Sequence, residues 1–391
     1  MTVVGYTTTL GAKTSLGAIA SLVALGVLMI GQFTPDARLT ISGVPLNSIF
    51  FAIAILLGLL VPLSVDVRHA IILVFSLVAP VCATLIWSRD PERGALTLVN
   101  LLAVSAAAAL LLAYAISGIG LTRTLKLWVV ASVLLLAAAV LYKVERGFLD
   151  RNVNFLFNGP NVFARQMGLA AILAGFVYQG PRRYLLVFLF TAAVVWTQSK
   201  GPLIALILIG AWSIWQGSGW RGRALLIAMA TLAATMIALG IAFLANSPLL
   251  GRMFLAVSVF DSGLTAQNFG SIGSRVLMIR ETLTMIATQP YGVGIGGWAA
   301  SSGIAWADYP HNIFLELWSE AGVVLGSIAL LAFACFVSSR TMVLVAACWF
   351  LLICQQVSGG LLDARFLLAL ACVAFIGRRG FAPAITRVAR S

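Results

Sequence analysis

The sequence predicts an all-α, polytopic membrane protein of about twelve transmembrane helices. Two observations on composition and one on pattern carry this. Of 391 residues, 61% are hydrophobic and 9% charged, against roughly 25% charged in soluble domains. Mean hydropathy is +1.04. Apolar runs of the length a bilayer span requires, about 20 residues, fill most of the chain. Such a chain cannot cover its own surface in water, which excludes a soluble enzyme, a nucleic-acid-binding protein and a secreted disulfide scaffold.

In chain order the predicted spans are about 14–33, 46–64, 69–87, 95–117, 125–142, 162–179, 184–199, 201–217, 224–245, 313–337, 341–357 and 361–377. The first run carries no small-residue cleavage signal behind it and reads as a span rather than a leader. Ser199-Lys200-Gly201-Pro202 separates the seventh from the eighth as a tight turn. Cys82, Cys335, Cys348, Cys354 and Cys372 all fall inside apolar runs; they read as small buried side chains, not disulfides or metal ligands.

Orientation follows from the cations. With the N-terminus inside and twelve alternating spans, the cytoplasmic set is Lys13, Arg68, Arg123, Lys126, Arg182, Arg183, Arg221, Arg223, Arg340, Arg378, Arg379, Arg387 and Arg390, accompanied by Asp66 as its one acid. The other twelve cations and eleven acids leave the outer side nearly neutral, as the retention of Lys and Arg by cytoplasmic loops requires. The net charge of +13 therefore reports topology rather than a nucleic-acid partner. The chain divides into residues 1–245 with nine spans, an outer loop over 246–312, and residues 313–391 with three spans and a cytoplasmic tail. A connection as long as that loop is uncommon unless functional or disordered. Its amphipathic stretch around Arg275–Ile286 predicts a folded loop on the membrane surface.

Chemistry concentrates at the outer face. Arg165 lies just inside the sixth span, Lys200 in the turn after the seventh, and Arg275 and Arg280 on the loop helix. A cation within a span faces a polar cavity or partner, and arginines and a lysine together suit phosphate or pyrophosphate. Taken singly, each also reads as a side chain snorkelling to lipid headgroups. Of the two histidines, His69 follows Arg68 in a cytoplasmic loop, while His311 stands where the large loop re-enters the membrane. Histidine suits the role of general base for a hydroxyl. Glu316 and Glu320, at i and i+4, could face one cavity with it.

Gly292-Val293-Gly294-Ile295-Gly296-Gly297 lacks the strand and helix of a dinucleotide fold. It reads as chain reversal, with some capacity for an anion on its amides. Asp90-Pro91-Glu92, bracketed by Arg89 and Arg93, reads as a self-neutralised polar loop rather than a metal site.

Four segments, in order, carry a resemblance. They are Asn158-Gly159-Pro160-Asn161-Val162-Phe163-Ala164-Arg165; Thr197-Gln198-Ser199-Lys200-Gly201-Pro202; the run from Gly273-Ser274-Arg275 to Pro290-Tyr291-Gly292-Val293-Gly294; and Pro310-His311-Asn312 with Glu320-Ala321-Gly322. A weaker one is Ser358-Gly359-Gly360-Leu361-Leu362-Asp363-Ala364-Arg365. From the sixth span onward the chain resembles the O-antigen ligase and O-antigen polymerase superfamily of bacterial envelope glycosyltransferases.

The resemblance implies a GT-C-like fold in the inner membrane, with the active site facing the periplasm. It implies transfer of glycan from undecaprenyl pyrophosphate to an acceptor hydroxyl, on lipid A–core for a ligase or on another lipid-linked glycan for an O-antigen or exopolysaccharide polymerase. His311 would be the base and Arg275 its catalytic partner. Lys200, Arg165 and Arg280 would hold the pyrophosphate, and Asn161, Asn312 and Glu320 would support the site. Lys200 departs from the family's usual arginine in that turn, keeping the charge but losing the bidentate fork. The expected transfer is metal-independent and uses no cofactor. It is inverting, since no nucleophile for a covalent intermediate stands out. A lipid-linked oligosaccharide flippase is the rival from another class; a transporter would show matched internal repeats and midplane charges, whereas the ionisable residues here gather at the outer edge.

Overall fold

The computed structural model describes residues 4–29, 32, 40–41, 44–45, isolated positions between 52 and 75, and 79–148, 155–217, 270–337 and 341–378. The predicted span at 224–245, all but isolated positions of 46–64, part of 69–87, loop residues 246–269 and His69 lie outside the described residues.

The described chain is helical apart from a two-residue antiparallel ladder, β1 (Thr40–Ile41) with β2 (Val44–Pro45). Helix α1 runs Val4–Leu28. Helix α2, Pro91–Ile119, starts under control of Asp90, whose side chain accepts from the Arg93 amide, with Pro91 in the first turn. One π turn, Val99–Val104, interrupts it. Then follow α3 (Leu121–Arg146), α4 (Pro160–Val177), α5 (Pro181–Trp196) and α6 (Lys200–Gly217). The amphipathic loop helix is α7 (Gly270–Thr288), followed by the short α8 (Trp298–Ser301). Helices α9 (Ile313–Val337), α10 (Met342–Ser358) and α11 (Arg365–Arg378) close the chain, with a 3-10 turn at Leu361–Ala364 ahead of α11. These bounds fall within a few residues of the predicted sixth, seventh, eighth, tenth and eleventh spans.

Three helices, Pro91–Ile119, Leu121–Arg146 and Ile313–Cys335, are long and apolar enough to cross a membrane. At 1.5 Å per residue, the 29, 26 and 23 residues of these helices exceed a hydrocarbon core of about 30 Å. The outward faces of the bundle are apolar too: Leu141 on α3 is 70% exposed, Phe188 on α5 73%, and Val324 on α9 69%. Lipid would cover such a belt, which water would not tolerate as a continuous surface.

Inside the bundle the packing uses small residues. Ala20 and Ala24 of α1 lie with Ala107, Ala108 and Ala115 of α2, all buried, so the two backbones approach closely. A Cβ on Gly168 of α4 would stand 2.4 Å from Cζ of Phe350 on α10; that glycine seats the ring.

Two expectations change. None of the cysteines is in a disulfide, but Cys335 is exposed and Cys82 half-buried rather than buried, Cys335 because it lies on an outward face of α9. Helix α9 is also not one rod: Gly322 has φ 82 and ψ 161, a break between two helical pieces. The break is held open by the glycine loop. Val323 N–H donates to Pro290 O (3.0 Å), while Val293 and Gly294 N–H donate to the freed carbonyls of Ser319 and Glu320 (both 2.9 Å). Non-helical backbone at the edge of a span is tolerated when its polar groups find protein partners in this way.

Candidate active site

Four connections meet at one end of the bundle: residues 84–94 ahead of α2, the start of α4, the loop from Gln289 to Asn312, and the turn between α10 and α11. The glycine loop sits innermost. Gly294 would place a Cβ 2.3 Å from Cα of Ser88, and Gly296 one 2.4 Å from the Gly94 amide, both at φ near 80. Only glycine meets both demands, left-handed backbone and no side chain.

Its amides are all engaged. Gly292 donates to Gln289 O and Gly297 to Gly294 O. Ile295 donates to Thr84 Oγ1 at 3.1 Å. The Glu320 carboxylate accepts from Gly296 and, at 3.2 Å, from Trp298. With Val293 and Gly294 on Ser319 and Glu320, no amide from 292 to 298 is left for an anion. The loop is a packing device, and Glu320 supports it.

Glu316, one turn earlier, accepts from Leu361 N–H through Oε2 at 2.9 Å. It thereby fixes the α10–α11 turn, which passes so close that a Cβ on Gly360 would stand 2.8 Å from both Glu316 Oε2 and the Tyr309 ring. That turn carries Asp363. Arg165, buried in α4, donates through Nη2 to Asp363 Oδ2 at 2.9 Å, and the two side chains are 8% and 23% exposed. Gln355 Nε2 donates to the Asp363 carbonyl at 3.1 Å. Gln32, Arg165, Gln166, Gln355 and Asp363 line a cavity of about 20 Å³, enough for one water.

His311 stands above this pair. Its φ is 57, left-handed for a non-glycine residue, a conformation that persists when surroundings over-determine it. Its ring meets Tyr309 edge-on, with centroids 4.5 Å apart. Next to it Asn312 caps α9, its Oδ1 accepting from Phe314 and Leu315 N–H (3.0 and 3.1 Å), and its Nδ2 donates to Gln356 O. The imidazole Nδ1 is buried with no hydrogen-bond partner among the described residues. Burial, then the charge of Arg275, push the His311 pKa below its usual value, and Arg165 adds to this; Asp363 and Asp308 pull the other way. Burial and the Asp363 charge raise the Tyr309 phenol.

The structure thus brings His311, Arg275 and Arg165 into one electrostatic neighbourhood and adds Asp363 to it. Lys200 is exposed at the start of α6 and Arg280 is exposed on α7; neither is among the charges that weigh most on His311. Asn161 is half-buried in the first turn of α4. The polar loop at Asp90 is not self-neutralised: Asp90 caps α2, while Arg93 pairs with Asp308 across the site. Sequence reasoning placed Asp363 only in the weaker of its matching segments and gave Tyr309 no role. The partner of Asp363 lies 198 residues away in sequence, and no local pattern marks Tyr309.

No curated protein matches this chain. Residues 185–330 match the family model described as O-antigen ligase. That stretch runs from α5 into α9 and contains Lys200, Arg275, Arg280, His311, Glu316 and Glu320. The matched segment, less than half of the chain, is similar to the O-antigen ligase family and lies among helices long and apolar enough to cross a membrane.

Proposed function

We propose that this protein is an O-antigen ligase-type glycosyltransferase of the bacterial inner membrane. It moves glycan from undecaprenyl pyrophosphate to a hydroxyl of lipid A–core at the periplasmic face, with inversion and without a metal. The observation that carries this reading is His311: a strained, half-buried imidazole with an unpartnered Nδ1, set in the field of Arg275 and Arg165.

In the proposed step the acceptor oxygen attacks the anomeric carbon of the donor sugar. Its proton passes to His311, which the lowered pKa keeps neutral and receptive near pH 7. The bond from the anomeric carbon to the pyrophosphate oxygen breaks, and the lipid diphosphate leaves with the electron pair. Arg275 and Arg165 oppose the charge that builds there, fixed in place before reaction. Arg165 acts while paired with Asp363, and Arg275 is the cation that weighs most on His311. Lys200 and Arg280, both exposed, would meet the diphosphate as it arrives. Asn312 and Glu320 hold the backbone around the base, and Asn161 sits beside the donor entrance on α4.

The topology belongs to the same proposal. Twelve alternating spans with both ends in the cytoplasm, divided at 245 and 312, put residues 88–93, 158–165, 289–312 and 359–363 on one face. The contacts among those four connections support that alternation.

Purified protein given undecaprenyl pyrophosphate-linked glycan, with lipid A–core and a second lipid-linked repeat as competing acceptors, tests the proposal. Glycan on lipid A–core is the expected product. Extension of the lipid-linked repeat would make the protein a polymerase, and translocation across liposomes without transfer would make it a flippase. His311→Ala and Arg275→Ala are each expected to abolish transfer while leaving insertion intact; wild-type transfer by both would defeat the assignment.

A further inference from the structure

Residues 84–94 dock on the glycine loop: Ser88 Oγ donates to Ile295 O at 2.7 Å, Arg89 N–H to Val293 O at 3.2 Å, and Arg89 Nη2 to Gln289 Oε1 at 3.4 Å. Beyond this dock Arg93 extends a fork. Its Nη1 donates to Asp308 Oδ1 at 2.9 Å and its Nη2 to the Asp308 carbonyl at 2.8 Å.

Asp308 lies three residues before His311. Between them stand Tyr309, whose ring touches the imidazole, and the buried Pro310. The left-handed turn at His311 needs restraint on both sides. Its C-terminal side has Asn312, bonded to α9 and α10. Its N-terminal side has the Arg93 fork.

We infer that Arg93 is a positioning residue for His311, its fork on the side chain and carbonyl of Asp308 holding the strained turn from which the imidazole projects. The inference rests on the reading of His311 as the base. The Asp308 side chain is 74% exposed, so the ion pair itself adds little to stability. What the fork fixes is the path of the backbone, because it grips a main-chain oxygen as well as a carboxylate. Lysine offers a point charge without that planar geometry.

The fork also sets the charge around the base. His311 is faced by Arg275 from α7, Arg165 from α4, Asp363 from the α10–α11 turn and Asp308 on its own loop. Without Arg93 the Asp308 charge stands unopposed, and His311 holds its proton more tightly.

The test compares Arg93→Ala, Arg93→Lys, Asp308→Ala and His311→Ala in the full-length protein in nanodiscs, by kcat, donor KM and pH profile. The Asp90 cap on α2 uses the Arg93 backbone and survives these changes. Arg93→Ala is expected to lose roughly tenfold to a hundredfold in kcat, the scale of a misplacement near 1 Å, with donor KM little changed. The acid limb of its pH profile moves to higher pH. Arg93→Lys falls between Arg93→Ala and wild type, and Asp308→Ala, which keeps the carbonyl grip, loses less than Arg93→Ala. Wild-type kcat and an unmoved acid limb in Arg93→Ala would overturn the inference; if that variant does not accumulate, wild-type kcat in Arg93→Lys would do so. An inactive His311→Ala beside a fully active Arg93→Ala removes the clasp alone, whereas an active His311→Ala removes the functional reading beneath it.

Discussion

The Arg165–Asp363 pair gives the prediction with the largest expected effect. Asp363→Leu leaves the Arg165 guanidinium, 8% exposed, without an anion inside the bundle. Removing one partner of a buried pair costs about 3–5 kcal/mol, because the remaining charge keeps its desolvation penalty and loses its attraction. Arg165→Met strands a carboxylate that is 23% exposed and partly hydrated, so its cost sits near the lower end, about 3 kcal/mol.

The double variant removes both charges and with them both penalties. It should lie within about 1–2 kcal/mol of wild type, since replacing a buried pair by apolar side chains is often close to neutral. The buried thiols of Cys348, Cys354 and Cys372 provide the assay: a thiol-reactive fluorophore reports their exposure as the detergent-solubilised protein is heated or titrated with denaturant. The expected signature is strong non-additivity, with the double variant more stable than either single one. Two single variants within about 1 kcal/mol of wild type, or a double variant equal to their sum, would refute a buried, coupled pair.

Three further outcomes follow from the same geometry. With two histidines in the chain, labelled imidazole NMR in a His69→Gln background should give His311 a pKa below the ordinary 6.5, and Arg275→Gln should raise it. Because the folded value is depressed, the unfolded chain takes up its proton first as pH falls, so stability is lost from about pH 6.5 downward. Gly296→Ala meets the Gly94 backbone at 2.4 Å with φ 80; left-handed strain of about 1–2 kcal/mol plus overpacking of about 1–3 kcal/mol should lower the unfolding midpoint in the thiol assay. Gly303→Ala, also left-handed but with open space around it, should show the strain alone. Glu316→Gln keeps an oxygen for the Leu361 amide and removes a carboxylate from beside Glu320; it should be nearly neutral, whereas Glu316→Ala should cost about 1–3 kcal/mol for the orphaned amide, measured in the same way.

What the sequence revealed and what it hid divide along range. Hydropathy is a local sum, so the ends of α4, α6, α9 and α10 were legible to within a few residues. Arg165 and Arg275, two of the four cations marked in the sequence, weigh on His311, whereas Lys200 and Arg280 are not among its main charges. The break at Gly322 was not legible, because the Pro290–Tyr291 backbone that stands against it comes from a separate loop. Arg165 was legible as a costly charge in a span, but its partner lies 198 residues away. Arg93 was misread for the same reason: Asp90 and Glu92 stand beside it in sequence, yet Asp308, 215 residues on, holds its side chain. The exposure of Cys335 depends on which way α9 faces, and residue type alone does not set that.

The saturated amides of the glycine loop bear on how such a site could recognise a diphosphate. Glycine-rich loops that bind phosphates leave successive N–H groups pointing into a cradle. Here the amides from Gly292 to Trp298 are spent on Gln289, Ser319, Glu320, Thr84 and Gly294, locking the loop to α9 and to the approach to α2. An anion at this loop must therefore be held by side chains, and charge on a side chain is what substitution can remove. Arginine-to-lysine changes then become informative: at a backbone cradle they would be mild, but at a side-chain site the lost fork should cost heavily. Arg275→Lys should therefore be far closer to Arg275→Ala than to wild type in single-turnover transfer. A near-wild-type Arg275→Lys would mean that the charge alone suffices and that the fork has no part in holding the leaving group.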